Sequence, residues 1–543
     1  MMKLALGLVS FIILLPLISE SYSYFDADMI NQNIKNQNYD FTKNKSAIIH
    51  FDESSYEQTV KRYLIFGQGS TTELGNYTHI PYSISSSNGF FSIVTIPEST
   101  VSIFQSKGFH VIEDFQLDFH SKYIKKNNIT KISNIGDIAN SQQVHNLYNV
   151  TGKDIVIAII DTGVDFSNTD MQHSLARDNE NIPIMLDPDG QGLILTNATF
   201  AANIDQYGTI KNFTKSVKHN STSDVYVKAR GNGVFLNIDQ NGLGTSLLVY
   251  NSMFPMFGSS PLLNGTLSDD MKIGKNKHDY IESKSGVYRL GVMYQGSPSQ
   301  PQVVPVLVTD SKQSGFYDTI IPDMSTSWQD FTKNSSNGKP EFDFDFTDEV
   351  HHVIGDGNEF LVYDYDDDGK FDYSVGTLGA QVLDIYGVIE NESEIDDSFG
   401  AINGTLLPPI DRDGQFFGVM TDVSGHGTSS AGTIVSKGQQ EYDIYNNTKK
   451  FNIRGIAPDA KIIPVKALWF GDILYGWLWS AGFDNDDVEW TFSGKPRADI
   501  ISNSWGVSTF PNFEYAPGFD MLSLVMTTLS IPNSFSDDYP GVL

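Results

Sequence analysis

The chain has 543 residues, 40% hydrophobic and 19% charged, a balance that suits folded globular domains and excludes a disordered chain. Its 66 acidic against 36 basic side chains give a net charge of −30, which repels nucleic acid and anionic lipid and concentrates cations such as calcium. Cysteine is absent, so core burial, with or without a bound metal, must hold the fold without disulfides.

Lys3 precedes an apolar run over residues 4–18, and Ser21-Tyr22-Ser23 offers the small residues that signal peptidases prefer. Residues 1–23 read as a signal peptide, with an uncleaved signal anchor as the alternative. No later stretch approaches about eighteen consecutive apolar residues, so no span is expected after cleavage. The expected location is secreted or cell-surface. In a secreted chain the sequons at Asn76, Asn197, Asn212, Asn264, Asn391 and Asn403 read as glycan sites on surface loops.

Residues 24–135 form the first unit, clearest at 90–115, FFSIVTIPESTVSIFQSKGFHVIEDF. FFSIVTI alternates as a strand does, Pro97 and Glu98 open a helix, Gly108 ends it, and FHVIEDF reads as a second strand. This pattern leaves a folding and inhibitory propeptide and any other small α+β domain equally open.

Residues 153–171, KDIVIAIIDTGVDFSNTDM, contain a nearly unbroken apolar run, as expected of a strand buried on both faces of a parallel sheet. Asp161 stands at its C-terminal end, where open α/β sheets place their chemistry. Residues 173–417 then alternate β-like runs such as VPVLV and EFLVYDY with turn-rich breaks, and read as a β-rich insertion. Within it Asp364, Asp366, Asp368 and Asp372 occupy positions 1, 3, 5 and 9 of a loop with Gly369 at position 6. Alternate oxygens around a glycine turn are how calcium loops gather ligands, and Val375 at position 12 excludes an EF-hand. A structural Ca²⁺ site is expected here, against the alternative of a solvated acidic turn. Two weaker copies are Asn237-Ile-Asp239-Gln-Asn241-Gly242 and LVTDSKQSGFYD at 307–318; Lys312 in the second points to a turn without metal.

From 418 onward the α/β pattern returns. His426 lies in GHGTSSAG, a small-residue helix start, and IAPDAKIIPVKAL ends in another buried strand. Residues 472–481 and 519–530 read as helices, ADIISNSWG as a further buried strand, and YPGVL at 539–543 as the opening of another.

The contexts DTGVD around Asp161 and GHGTSSAG around His426 resemble the aspartate and histidine motifs of the subtilisin-like serine proteases. GIAPDAKIIPVKAL and ISNSWG agree in order, and the 90–115 unit resembles that family's propeptide. The resemblance covers about residues 90–172 and 419–543, and the 265-residue separation of the two motifs is similar to long-insertion members. It implies an α/β fold: an incomplete parallel subtilisin-like sheet with helices on both faces, a β-rich insertion and an α+β propeptide. The implied boundaries are a propeptide at 24–135, catalytic parts at 136–172 and 418–543, and the insertion at 173–417. The implied activity is that of a secreted, calcium-stabilised serine endopeptidase made as a zymogen. His426 would act as general base and Asp161 would orient it, while Ser504, Trp505 and Gly506 would border an extended polypeptide substrate. Asn168 departs from the histidine many members carry there.

The nucleophile is the larger departure. After ISNSWG there is no A-G-N turn for the oxyanion and no G-T-S-M-A serine, and the GTS at 244–246 lies inside the insertion in the wrong order. Serine removal in subtilisin costs about 2 × 10⁶ in kcat, so these residues alone are not expected to hydrolyse peptides. The expectation is a truncated product, such as a split or frameshifted reading frame, with its own propeptide as a partner; a fragment that pairs with a separately encoded C-terminal half is the alternative. The rival from another class is a non-catalytic secreted or surface calcium-binding protein derived from a protease.

Overall fold

A computed structural model of the chain describes residues 60–68, 83–86, 89–115, 139–189, 193–195, 203–204, 210–212, 225–230, 233–238, 270–276, 278–286, 288–297, 300–324, 344–363, 373–384, 405–414, 416–422, 424–444, 449–485, 490–506 and 521–543. The expected signal peptide, the Asp364–Asp372 calcium loop and the 244–246 GTS lie outside the described residues.

The first unit is an antiparallel sheet of β1 (Val60–Gly67), β2 (Ser83–Ser86), β3 (Gly89–Pro97) and β4 (His110–Glu113), in the order β2-β3-β1-β4. Helix α1 (Glu98–Ser106) follows Pro97 directly and buries Phe104. The strand–helix–strand pattern expected at 90–115 is present, but β1 lies between its two strands. Tyr63, Leu64 and Ile65 of β1 are all buried, so its apolar residues are consecutive rather than alternating.

The second unit is a six-stranded sheet. Its strands are β5 (Val156–Asp161), β6 (Leu186–Asp187), β7 (Gln381–Asp384), β8 (Thr405–Leu407), β9 (Lys461–Lys466) and β10 (Ile500–Asn503), ordered β8-β7-β6-β9-β5-β10. All neighbours are parallel except β8, which closes one edge antiparallel. Thus β6, β7 and β8, all from within 173–417, extend the sheet that carries Asp161. Elsewhere the described elements of that stretch are strands, among them Gln300–Thr309 and Phe360–Tyr363.

Helices cover both sheet faces. Helix α2 (Ser141–Tyr148) precedes β5, and α3 (Thr169–Gln172) and α4 (His426–Val435) pack on Ile157, Ile159 and Ile462. On the other face Ala158, Ile160, Ile463 and Val465 meet α5 (Phe470–Ser480) and α6 (Met521–Ser530). This two-sided burial is why β5 and β9 lack a period of two.

All eleven residues of α5 are buried, as an all-round apolar helix requires. Gly476 lies against Val465 of the sheet, while Gly471 leaves room for the guanidinium of Arg62 from β1; a Cβ there would stand 1.9 Å from Arg62 Nη2. Arg62, almost completely buried, pairs with Asp114 at 2.6 Å and Asp472 at 2.7 Å. Asp114 also accepts from the Gly471 N–H at the start of α5, where a helix favours negative charge, and Phe115 stacks on Phe470. The two units therefore share one hydrophobic core around α5.

Strand β10 is only half-buried, because it lies at the outer edge rather than inside the sheet. Beside it Leu543 accepts from Ile501 N–H and donates to Asp499 O, the pattern of a parallel neighbour. Among the described residues no helix is long and apolar enough to cross a membrane.

Candidate active site

Asp161 is the last residue of β5 and His426 the first of α4, 265 residues apart in sequence. Folding brings His426 Nδ1 to 2.6 Å from Asp161 Oδ1. Glycines permit this approach. A Cβ on Gly163 would stand 2.0 Å from the Thr421 carbonyl oxygen, and one on Gly427 would stand 2.0 Å from that of Gly163. The DTG and GHG turns thus pass backbone against backbone.

Asp161 is fully buried, and His426 is 27% exposed by side chain. The carboxylate also accepts from the Thr162 N–H at 2.8 Å and from the Ser430 hydroxyl at 3.2 Å. These donors hold it in one orientation toward the imidazole. The hydrogen bond to Asp161 raises the His426 pKa above its ordinary value, and the charges of Asp161 and Asp422 add to this against the opposing effect of burial. With Nδ1–H donated to Asp161, Nε2 is the basic nitrogen. The pair can therefore accept a proton at Nε2 and stabilise the imidazolium that results.

Ser504, Trp505 and Gly506 directly follow β10, which pairs with β5 through Asn503 and Ile160. Ser504 and Gly506 are exposed. The Trp505 indole donates to the Ile160 carbonyl at 3.1 Å and stacks on Trp477, whose own indole donates to Asn503 at 2.8 Å. Trp505 thus braces this segment against the strand end that carries Asp161.

Asp364, Asp366, Asp368 and Asp372 lie outside the described residues, and among the described residues no group of three or more His, Asp or Glu side chains converges as a metal site. In the 307–318 copy, Asp310 accepts from the Ser283 hydroxyl and from the N–H groups of Ser285 and Gly315, and Asp318 accepts from Ser311. Protein donors hold that loop as a turn.

Three contributors escape the motif reading: Thr162, Asp422 and Thr428. Asp422 receives Thr162 Oγ1 at 2.8 Å on one oxygen and the Thr428 N–H and hydroxyl at 2.8 and 2.6 Å on the other. An acidic residue just before a helix start is itself a capping signal that could have drawn attention to it.

Residues 414–533 match the family model described as Subtilase family. Pyrolysin of Pyrococcus furiosus is 23% identical over 427 residues, which cover 74% of this chain and 24% of pyrolysin. The chain spans about a quarter of that relative's length. No solved structure matches it. The ordered aspartate and histidine motifs, the contact between them and these two matches support a subtilisin-like serine protease family for this chain.

Proposed function

We propose that this chain supplies the acid–base pair of a secreted subtilisin-type serine endopeptidase made as a zymogen. The observation that carries the reading is the 2.6 Å contact between buried Asp161 and His426. His426 Nε2 takes the proton of a serine hydroxyl as that oxygen attacks the peptide carbonyl, then returns it to the leaving amine. Asp161 keeps the imidazole in the Nδ1–H tautomer and balances its positive charge. An extended polypeptide substrate lies along Ser504 to Gly506. The nucleophilic serine and the oxyanion asparagine come from sequence outside these 543 residues, in a continuing or complementing C-terminal segment. Residues 24–135 act as propeptide, docked through Arg62 and Asp114 onto α5.

The test is to extend the chain after Leu543 with the serine-bearing segment of a subtilase, or to supply that segment in trans, and to measure hydrolysis of a chromogenic peptide. Turnover that His426→Ala abolishes is the expected result. A folded hybrid without turnover, and unreactive to a fluorophosphonate, would overturn the reading.

We also propose that Asp364, Asp366, Asp368 and Asp372 bind a structural Ca²⁺, since their spacing places four carboxylates around a glycine turn. A ligand bound only by the native state stabilises it by mass action. Chelation should therefore lower the melting temperature of the full chain by several degrees, and calcium should restore it. An unchanged melting curve would remove calcium from the account.

A further inference from the structure

The imidazole of His426 occupies an electrostatically awkward place. It is the first residue of α4, a helix of ten residues, and the positive end of a helix disfavours a protonated imidazole. The N-cap, Gly425, has no side chain with which to satisfy the exposed N–H groups. Asp422 and Thr162 do this instead. The Gly427 N–H donates to Thr162 Oγ1 at 2.9 Å, and the Thr428 N–H donates to Asp422 Oδ2 at 2.8 Å. Asp422 Oδ1 further accepts from the N–H groups of Ser424 and Gly425 and from the Thr162 hydroxyl. A partly buried carboxylate with five neutral donors thus sits in the same helix end as the imidazole. The charged side chains on the elements packed there are Asp161 and Asp165 from the β5 loop and Lys466 from β9, whose ammonium donates to the Thr421 hydroxyl.

Thr162 links the two carboxylates. Its N–H donates to Asp161 Oδ1 and its hydroxyl to Asp422 Oδ1. The Thr428 hydroxyl, which donates to Asp422, accepts from the Asp165 N–H. The DTG and GHGT turns are therefore tied to each other through the Asp422 carboxylate.

We propose that Asp422 is a positioning residue of the acid–base pair: it caps the helix start that carries His426 and offsets the positive helix end, so that the imidazolium formed during proton transfer is stabilised. The proposal rests on the reading of Asp161 and His426 as that pair. Asp161 acts by direct contact, and Asp422 acts through the helix backbone and its charge. A cap alone could be any Ser, Thr, Asn or Asp. The physical reason for a charged one is that a histidine which must accept a proton stands at the wrong end of a dipole.

The experiment is a pH titration by NMR of the His426 ring in the full chain, compared with Asp422→Asn, Thr428→Val and Asp161→Asn. Asp422→Asn keeps the side-chain size and removes the charge, so the His426 pKa should fall by about half to one unit, the range that one charge at a helix end supplies. Thr428→Val removes a hydroxyl donor but leaves the charge, and should leave the His426 pKa in place. Equal shifts in both variants, or none in Asp422→Asn, would overturn the proposal. Should Asp422→Asn fail to fold, the aspartate carboxyl signals of the unsubstituted chain decide: Asp422 must be ionised where His426 gains its proton, and a carboxyl that titrates above His426 overturns the proposal. Asp161→Asn separates the two layers. An unchanged His426 pKa there removes the acid–base pair itself, whereas a fall there with none in Asp422→Asn removes only the role of Asp422.

Discussion

In a hydrolytically competent hybrid, Asp161→Asn lowers kcat by about 10⁴, or roughly 5.5 kcal/mol of transition-state stabilisation. The size follows from geometry rather than from loss of the fold. Asparagine fits the same buried site, and with its carbonyl oxygen at the Oδ2 position it still accepts from the Ser430 hydroxyl. Its amide then points N–H groups at His426 Nδ1, which must become the acceptor. The ring proton moves to Nε2, and the nitrogen that should take the serine proton is already occupied. Hydrolysis of a chromogenic peptide under saturating substrate measures this. A loss below tenfold would mean that Asp161 does not set the tautomer.

Arg62→Met should destabilise the chain by about 3–5 kcal/mol, a large fraction of ordinary domain stability. Removing the guanidinium leaves Asp114 and Asp472 buried between the N-terminal sheet and α5 without their shared cation. The effect should also depend on pH. Burial already outweighs the attraction of Arg62 and pushes the Asp114 carboxyl up to about 6. A carboxyl whose folded pKa lies above its unfolded value contributes stability below the unfolded value near 3.8, and that contribution is lost as pH rises through about 6. Mild acid therefore does not release the docked unit through this group. Without Arg62 the ionised carboxyl is still less tolerated, so the loss should be larger at pH 7 than at pH 5. Denaturant melts of both chains at the two pH values provide the check. A loss under about 1 kcal/mol, or one equal at both pH values, would show that this buried bridge does not hold the units together.

The parts legible in the sequence are those governed by local pattern. The apolar run before Asp161 is β5 because both faces of a parallel strand are covered, and the helices expected at 472–481 and 519–530 are α5 and α6 within two residues at each end. Asp161 and His426 were legible only because each sits in a whole motif; nothing local states that residues 265 apart will meet. Pattern fails where a residue answers to distant partners. VKRYLIFG lacks strand alternation since successive residues Tyr63, Leu64 and Ile65 of β1 are all buried, and Arg62 reads as a surface residue until Asp472, 410 positions away, is beside it. The short strands β6, β7 and β8 carry too few residues to signal that parts of the 173–417 stretch belong to the α/β sheet. Asp422 does not show its role in the sequence because its chemistry lies in hydrogen bonds to two separate turns.

The most direct measurement is the NMR signal of the His426 ring N–H in the intact chain. A low-field proton that exchanges slowly with solvent, disappears in Asp161→Asn and accompanies a raised His426 pKa is the result expected for an imidazole bonded to a buried carboxylate. A ring that titrates as a free histidine does, with no change on Asp161→Asn, would contradict a shared proton and remove the protease reading with it.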